Sequence, residues 1–366
     1  MNAKSEILSL FQLRLITVML VLLMGIWGCL GIYNATVFSE APFYFAGKQL
    51  LWLFTGIIIL FITASTPFKK INDNALYLCA GAYCAIILLF AAGVRINGMK
   101  GWFDLHYFYI QPSEIAKPFF ILSLCKISDY TARKKLSDAK RFLILSGVTL
   151  LWIIPIVLEP DFGTVLVYAA GFVIVYYITD GRFSYLAFLA FLFIISAVVI
   201  VMTEPYVAAR IKGFLYPEQT SAGAGWHTLQ LQYTMARGGL TGQNWGHSLW
   251  SNSFLPLPYS DSAFASLVEA IGFLGTLPVI ASFCILTYTG CMLGLKTETN
   301  LNRTFILSVT YLITFQALLH ISVNVTMLPA TGITLPLFSY GGSSMLATML
   351  SIGLMLSAAG RNNFQQ

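Results

Sequence analysis

The chain has 366 residues, of which 57% are hydrophobic and 10% charged, with a net charge of +6. An ordinary soluble domain carries roughly 25% charged residues, so the composition points away from a soluble enzyme and toward a membrane protein. The positive charge follows from a loop bias described below and gives no reason to invoke nucleic acid.

In chain order, ten apolar runs approach the roughly 20 residues that cross a bilayer as helix. They cover 13–32, 50–66, 75–94, 112–128, 142–158, 164–178, 183–202, 263–292, 304–327 and 338–359. The expected fold is an all-α polytopic membrane protein, a single domain over 1–366 with about ten transmembrane helices. The first run is too long for the apolar core of a signal peptide and no A-x-A site follows it, so it is expected to stay as an anchor.

An even number of spans puts both termini on one side, and basic residues mark the inner side. With the N-terminus inside, thirteen of the 21 Lys and Arg fall inside and six outside. The strongest contribution is the loop with Arg133, Lys134, Lys135, Lys140 and Arg141, which would lie against the anionic inner leaflet. Both termini are therefore expected in the cytoplasm. The connections are short except for about sixty residues, 203–262, between the seventh and eighth spans. This large extracytoplasmic loop is neither low-complexity nor highly charged, which marks a folded binding or lid element.

The six cysteines fall in or beside apolar spans with no CxxC pair, so neither a disulfide framework nor a thiolate metal site is indicated. No nucleotide loop is present: "SYGGSS" at 339–344 lacks a Walker lysine, and its small residues suit close helix packing. No organic cofactor is implied.

Charges inside a membrane helix cost about 2.5 to 3.5 kcal/mol each on the insertion scale, so those retained need a partner or a purpose. In "QPSEIAKPFF", Glu114 and Lys117 lie three apart on one predicted helix face, as a self-neutralising pair or as site residues. Pro112 fits the first turn of that helix, with Ser113 as a cap. Asp161, in "EPDFGT", sits where two apolar segments meet and reads as an N-cap or a site acid. Gln316, His320 and Asn324 recur every fourth residue and form a polar stripe suited to bonding helices together. Arg210 and Lys212, in the long loop, could meet an anionic headgroup or a diphosphate. In "LPLPYSDSAFASLVEAIGFLG", Asp261 and Glu269 would stand about 12 Å apart on a continuous helix, too far to share a proton. Asp261 is then an exposed acid at the interface, and Glu269 a buried structural acid bonded to a neighbouring helix.

Several motifs in order, "NGMKGWFDL", "QPSEIAK", "PDFGT", "GGLTG", the stretch around Asp261 and "LPATGITLPLFSYGGSS", resemble the SEDS (shape, elongation, division and sporulation) family. The resemblance implies ten transmembrane helices with a large extracytoplasmic loop before the eighth. It implies a peptidoglycan glycosyltransferase that polymerises lipid II, an undecaprenyl-diphosphate-linked disaccharide peptide, at the outer face of the bacterial cytoplasmic membrane. The setting would be elongation, division or sporulation, beside a class B penicillin-binding protein transpeptidase. On this resemblance Asp261 is the catalytic aspartate, Lys117, Glu114, Arg210 and Asp161 are substrate-binding, and Glu269 is the family's transmembrane glutamate. Asp261 would act as a base, or would hold a divalent cation, Mg or Mn.

The chain departs from the family pattern at Gly101, where arginine is usual and Lys100 is adjacent, and at Glu159 in place of glutamine. Tyr259, Ser260, Ser262 and Ala270 differ around Asp261, and the segment after Asn324 is about four residues shorter. Two other functions use the same residues: a lipid-linked precursor flippase, with the buried acids as its pathway, and a noncatalytic scaffold for a transpeptidase.

Overall fold

The computed structural model describes residues 8–96, 99–203 and 205–360. Asn97 and Gly98 of the "NGMKGWFDL" motif lie outside the described residues, as do Lys4 and Arg361, two of the cations expected on the inner side. The chain is an all-α polytopic membrane protein with one small sheet.

Helix α1 (Leu10–Ala35) opens with a capping box in which Ser9 and Gln12 bond each other's backbone N–H groups. It is followed by α2 (Pro42–Ser65), the short α3 (Phe68–Asp73) and α4 (Ala75–Ala92). Strands β1 (Val94–Ile96), β2 (Met99–Asp104) and β3 (Tyr109–Ile110) then form an antiparallel sheet in the order β1-β2-β3, with Val94 opposite Trp102 and Phe103 opposite Ile110. By sequence this stretch counts only as one of the short connections between spans. Strands of three, six and two residues are too short for an alternating pattern to register as elements.

Helix α5 (Pro112–Arg133) has Pro112 in its first turn, but its N-cap position is Gln111. Ser113 is therefore not the cap, and its buried hydroxyl has no partner among the described residues. Next come α6 (Asp138–Leu158), α7 (Phe162–Ile178) and α8 (Phe183–Thr203). The long connection folds into α9 (Pro205–Leu215), α10 (Trp226–Gly238) and α11 (Leu249–Ser253), and the chain ends with α12 (Ala263–Leu295), α13 (Asn300–Asn324) and α14 (Gly342–Ala358).

Among the described residues six helices, α1, α2, α4, α6, α12 and α13, are long and apolar enough to cross a membrane. Helix α7, residues 183–195 of α8, and α14 are shorter apolar helices, and α5 carries Glu114, Lys117, Lys126 and Asp129. Each of the ten predicted runs thus coincides with a helix.

Helix α14 is buried along most of its length and packs on α2, α5 and α13, while α13 also packs on α12 and α7. Small residues allow this close approach: Gly342 lies against the Trp52 ring, and Gly353 against Leu60 and Thr63. In α4 only Ala75, Ile86 and Leu89 are buried, and exposed side chains such as Leu76 and Leu88 suit contact with lipid.

Side-chain bonds sort the connections into two ends. At one, Asn34 bonds Ser248, Lys48 bonds the Tyr107 carbonyl, Gln111 bonds Asp161, and Asn324 bonds the Asp261 carbonyl. At the other, Lys126 bonds the Asn72 carbonyl, Arg182 pairs with Asp138, and Asn302 bonds the Ala358 carbonyl. The candidate site residues gather at or just below the first end.

Helix α12 is broken by Gly272, with φ 71° and ψ 175°. The N–H groups released by the break are used: Phe273 N donates to Gly239 O at 2.9 Å and Leu274 N to Leu240 O at 3.1 Å. The "GGLTG" motif is thus the backbone dock for the kink, accepting two of the N–H groups that the break releases.

Candidate active site

Asp261 is the residue before the N-cap of α12, not a member of the helix, so the helical spacing to Glu269 does not apply to it. Its backbone is clamped from the bundle. Asn324 Nδ2 donates to Asp261 O at 3.0 Å, Ser339 Oγ donates to Ser260 O at 2.6 Å, and Tyr340 N donates to Tyr259 O at 2.7 Å. Asn324 Oδ1 also accepts from Ala265 N at 3.0 Å, satisfying an N–H in the first turn of α12.

The Asp261 side chain is half-buried rather than exposed. Burial raises its pKa above the ordinary aspartate value, against the opposing effects of a Ser260 hydrogen bond and the positive charge of Arg210. The charge of Arg210, on α9, acts on both Asp261 and His227 of α10, so a cation of the long connection contributes to the field at the acid. Gly332 faces Asp261 as well: a Cβ there would stand 3.8 Å from Oδ2.

Asp161 caps α7 as the sequence suggests, accepting from Thr164 N at 3.0 Å, and it also accepts from Gln111 Nε2 at 2.8 Å. The turn after it packs on the same segment that faces Asp261, since Gly163 lies against the Thr331 carbonyl and Gly332 is the next residue. Glu114 and Lys117 form an ion pair at 2.6 Å, and Lys117 Nζ also donates to Gln316 Oε1 at 2.9 Å. Both are buried beside a small cavity that Gln316, Thr348 and Ser351 help to line. Gln316 in turn donates to Thr334 O at 3.2 Å. Lys117 is thus committed inside the bundle, and the cation whose charge acts on Asp261 is Arg210.

The polar stripe has a purpose the spacing did not reveal. His320 meets Ile333 O at 2.7 Å, and with Gln316 and Asn324 it ties α13 to residues 333 and 334 and to Asp261, in addition to the helix-to-helix bond between Gln316 and Lys117. Glu269 is fully buried, as expected, but its partners are not on a neighbouring membrane helix. Its carboxylate accepts from Trp250 N at 3.0 Å, Ser251 N at 2.7 Å and Arg237 Nε at 3.4 Å. It therefore fastens the long connection to α12.

Sequence reasoning passed over His227 and the side chain of Gln111, and marked Glu159 only as a departure from the family pattern. His227 lies 3.0 Å from Ser262 Oγ, and Gln111 bonds Asp161. Glu159 is fully buried with neither carboxylate oxygen partnered among the described residues. Burial, then the charge of Asp161, pushes its pKa up to about 8. Lys100 does not bond it: its ammonium donates to Phe90 O at 2.7 Å, and neither Glu159 oxygen has a partner among the described residues. The orphaned carboxyl could have been suspected from Gly101 and Glu159 together, since a Cβ at Gly101 would stand 3.6 Å from Glu159 Oε2.

Asp261 brings one carboxylate to a metal ion, and among the described residues no three His, Cys, Asp or Glu gather in a set that could hold one. Any divalent cation there would need substrate oxygens and water to complete its shell, a donor set that Mg²⁺ accepts.

The profile of the family described as cell cycle protein (FtsW, RodA, SpoVE) matches residues 8–363. The chain is 28% identical over 352 residues to stage V sporulation protein E of Bacillus subtilis, covering 94% of this chain and 96% of that one. It is 30% identical over 349 residues to a probable peptidoglycan glycosyltransferase FtsW of Nitrosococcus halophilus, covering 92% and 89%. Its fold matches a chain in the structure "Structural coordination of polymerization and crosslinking by a peptidoglycan synthase complex" with TM-score 0.77 and 24% identity, covering 94% and 96%. It also matches the rod shape determining protein RodA of Thermus thermophilus with TM-score 0.70 and 23% identity, covering 94% and 95%. With the motifs, the fold and a near full-length match in agreement, this bacterial membrane protein belongs to the FtsW, RodA and SpoVE family of cell cycle proteins, the SEDS family that its motifs resemble.

Proposed function

We propose that this protein is a peptidoglycan glycosyltransferase that polymerises lipid II into glycan strands, with ten membrane spans, both termini in the cytoplasm and Asp261 at the outer face. The observation that carries the reading is the pairing of a half-buried, backbone-clamped Asp261 with the positive charge of Arg210. Glycosyl transfer to a sugar hydroxyl needs a base for the hydroxyl proton and positive charge for the departing diphosphate. Asp261, its proton affinity raised by burial, takes the proton as the hydroxyl oxygen bonds the anomeric carbon. Arg210 meets the diphosphate as its bond to that carbon breaks. When bound at Asp261, Mg²⁺ or Mn²⁺ would add Lewis-acid charge against the same diphosphate.

Relatives named as probable peptidoglycan glycosyltransferases support the activity. The likeness to a chain of a peptidoglycan synthase complex that couples polymerization to crosslinking supports a crosslinking partner, here a class B penicillin-binding protein transpeptidase. The self-neutralised and enclosed Glu114–Lys117 pair favours an enzyme over a flippase, which would need these acids open to a path.

Purified protein given lipid II should form polymer, and Asp261→Ala should abolish it while the protein stays folded. Undiminished polymer from the variant would overturn the catalytic role. Translocation of labelled lipid II without polymer would indicate a flippase, and neither activity would indicate a scaffold.

A further inference from the structure

The segment 257–262 is held from two directions. The bundle holds the backbone of Tyr259, Ser260 and Asp261 through Tyr340, Ser339 and Asn324. From the long connection, one hydrogen bond among the described residues reaches this segment from α10, between His227 Nε2 and Ser262 Oγ at 3.0 Å. Ser262 is fully buried and directly follows Asp261.

The proton positions follow from donor counting. A serine hydroxyl has one proton, and Ser262 Oγ donates it to Pro256 O at 2.8 Å. Toward His227 it therefore acts as acceptor, which puts the imidazole proton on Nε2 and leaves a lone pair on Nδ1. Burial, then the charge of Arg210, lowers the His227 pKa, which favours the neutral ring, and Nε2–H is the donor in this bond.

We infer that His227 is a positioning residue for Asp261: its Nε2–H fixes the Ser262 hydroxyl and, through it, the turn that aims the Asp261 carboxylate. The inference rests on the reading of Asp261 as the base. The bundle fixes where Asp261 sits. The backbone of Ser262 is held within the chain by Leu257 O and Ser266 N, and the His227–Ser262 bond adds the tie from α10 that fixes its side chain. Loss of that tie lowers the rate of reaction more than the binding of substrate, because alignment matters most in the transition state.

The test uses the full chain with His227→Ala, His227→Gln, Ser262→Ala and the His227→Ala, Ser262→Ala pair, in lipid II polymerisation. His227→Ala is expected to lower kcat about tenfold with KM within about twofold. His227→Gln, whose amide N–H can reach the same hydroxyl, should recover kcat to within about threefold of the parent. Ser262→Ala, which also loses the bond to Pro256 O, should lose at least as much as His227→Ala, and the pair no more than Ser262→Ala alone. Unchanged kcat in His227→Ala, an effect on KM alone, or additive losses in the pair would overturn the inference.

A second measurement needs no turnover. With Asp261→Cys as the probe, the rate of reaction with an impermeant thiol reagent should change about fivefold when His227 is replaced by Ala or Ser262 by Ala, and little with His227→Gln. Equal rates with His and Ala at 227 would overturn the positioning role. If the parent protein makes no polymer, the glycosyltransferase reading fails, and these thiol rates alone decide whether His227 positions residue 261.

Discussion

The amide of Asn324 bonds the backbone on both sides of Ser262, donating to Asp261 O and accepting from Ala265 N, each at 3.0 Å. One buried side chain at the end of α13 thus replaces the cap that Ser262 does not supply to α12 and fixes the carbonyl of the candidate base. Asn324→Ala leaves both groups short of a partner and should cost about 1 to 3 kcal/mol of stability, read as a lower unfolding temperature in detergent. Its kcat should fall further than its KM rises. A variant with parental stability and kcat would show the bond to be incidental.

Acid dependence should betray the environment of Asp261. Burial holds its pKa above the ordinary value, and a base works only when ionised, so activity is lost as pH falls through the raised value. The acid limb of kcat/KM should lie above the roughly 3.9 of an unperturbed aspartate. Arg210→Gln removes a charge that favours the ionised form, so the limb should move to still higher pH. A limb that moves down, or stays in place, would separate Arg210 from Asp261.

Glu159 predicts a pH-dependent stability of definite sign. Its folded pKa is raised to about 8 from an ordinary value near 4.5. The folded state therefore favours the protonated form, a contribution fully present below about 4.5 and lost as pH rises through about 8. Glu159→Gln keeps the shape without the charge, so it should match the parent in acid and be the more stable of the two above pH 8. Unfolding temperatures measured from pH 5 to 9 would check this; parallel curves would mean that the carboxyl is already neutralised by a bound group.

Chelation addresses the divalent cation. If Asp261 holds Mg²⁺ or Mn²⁺ with the substrate diphosphate, a chelator should stop polymerisation and added cation should restore it. Full activity in chelator would leave Asp261 as a base with Arg210 as the counter-charge.

The sequence by itself determined what depends on neighbours along the chain. Hydropathy is summed over a local window, so each of the ten apolar runs coincides with a helix, and spacing along one helix revealed the Glu114–Lys117 pair. The Asp161 cap is equally local, three residues from the N–H it accepts. Motifs in order carried the family, and with it the expectation for Asp261. Tertiary structure alone decided which buried polar groups satisfy which others. The His227–Ser262 bond spans 35 positions and the Asn324–Asp261 bond 63. Nothing in local pattern says that Glu269 turns to the long connection, that "GGLTG" answers the break at Gly272, or that Arg210 and not Lys117 acts on Asp261. The reason is physical: in an apolar interior an unpaired donor or acceptor is costly wherever its partner lies in the chain. The pairing is therefore set by how the helices and the long connection pack, and by that packing Glu159 alone among the site's acids is left without a partner among the described residues.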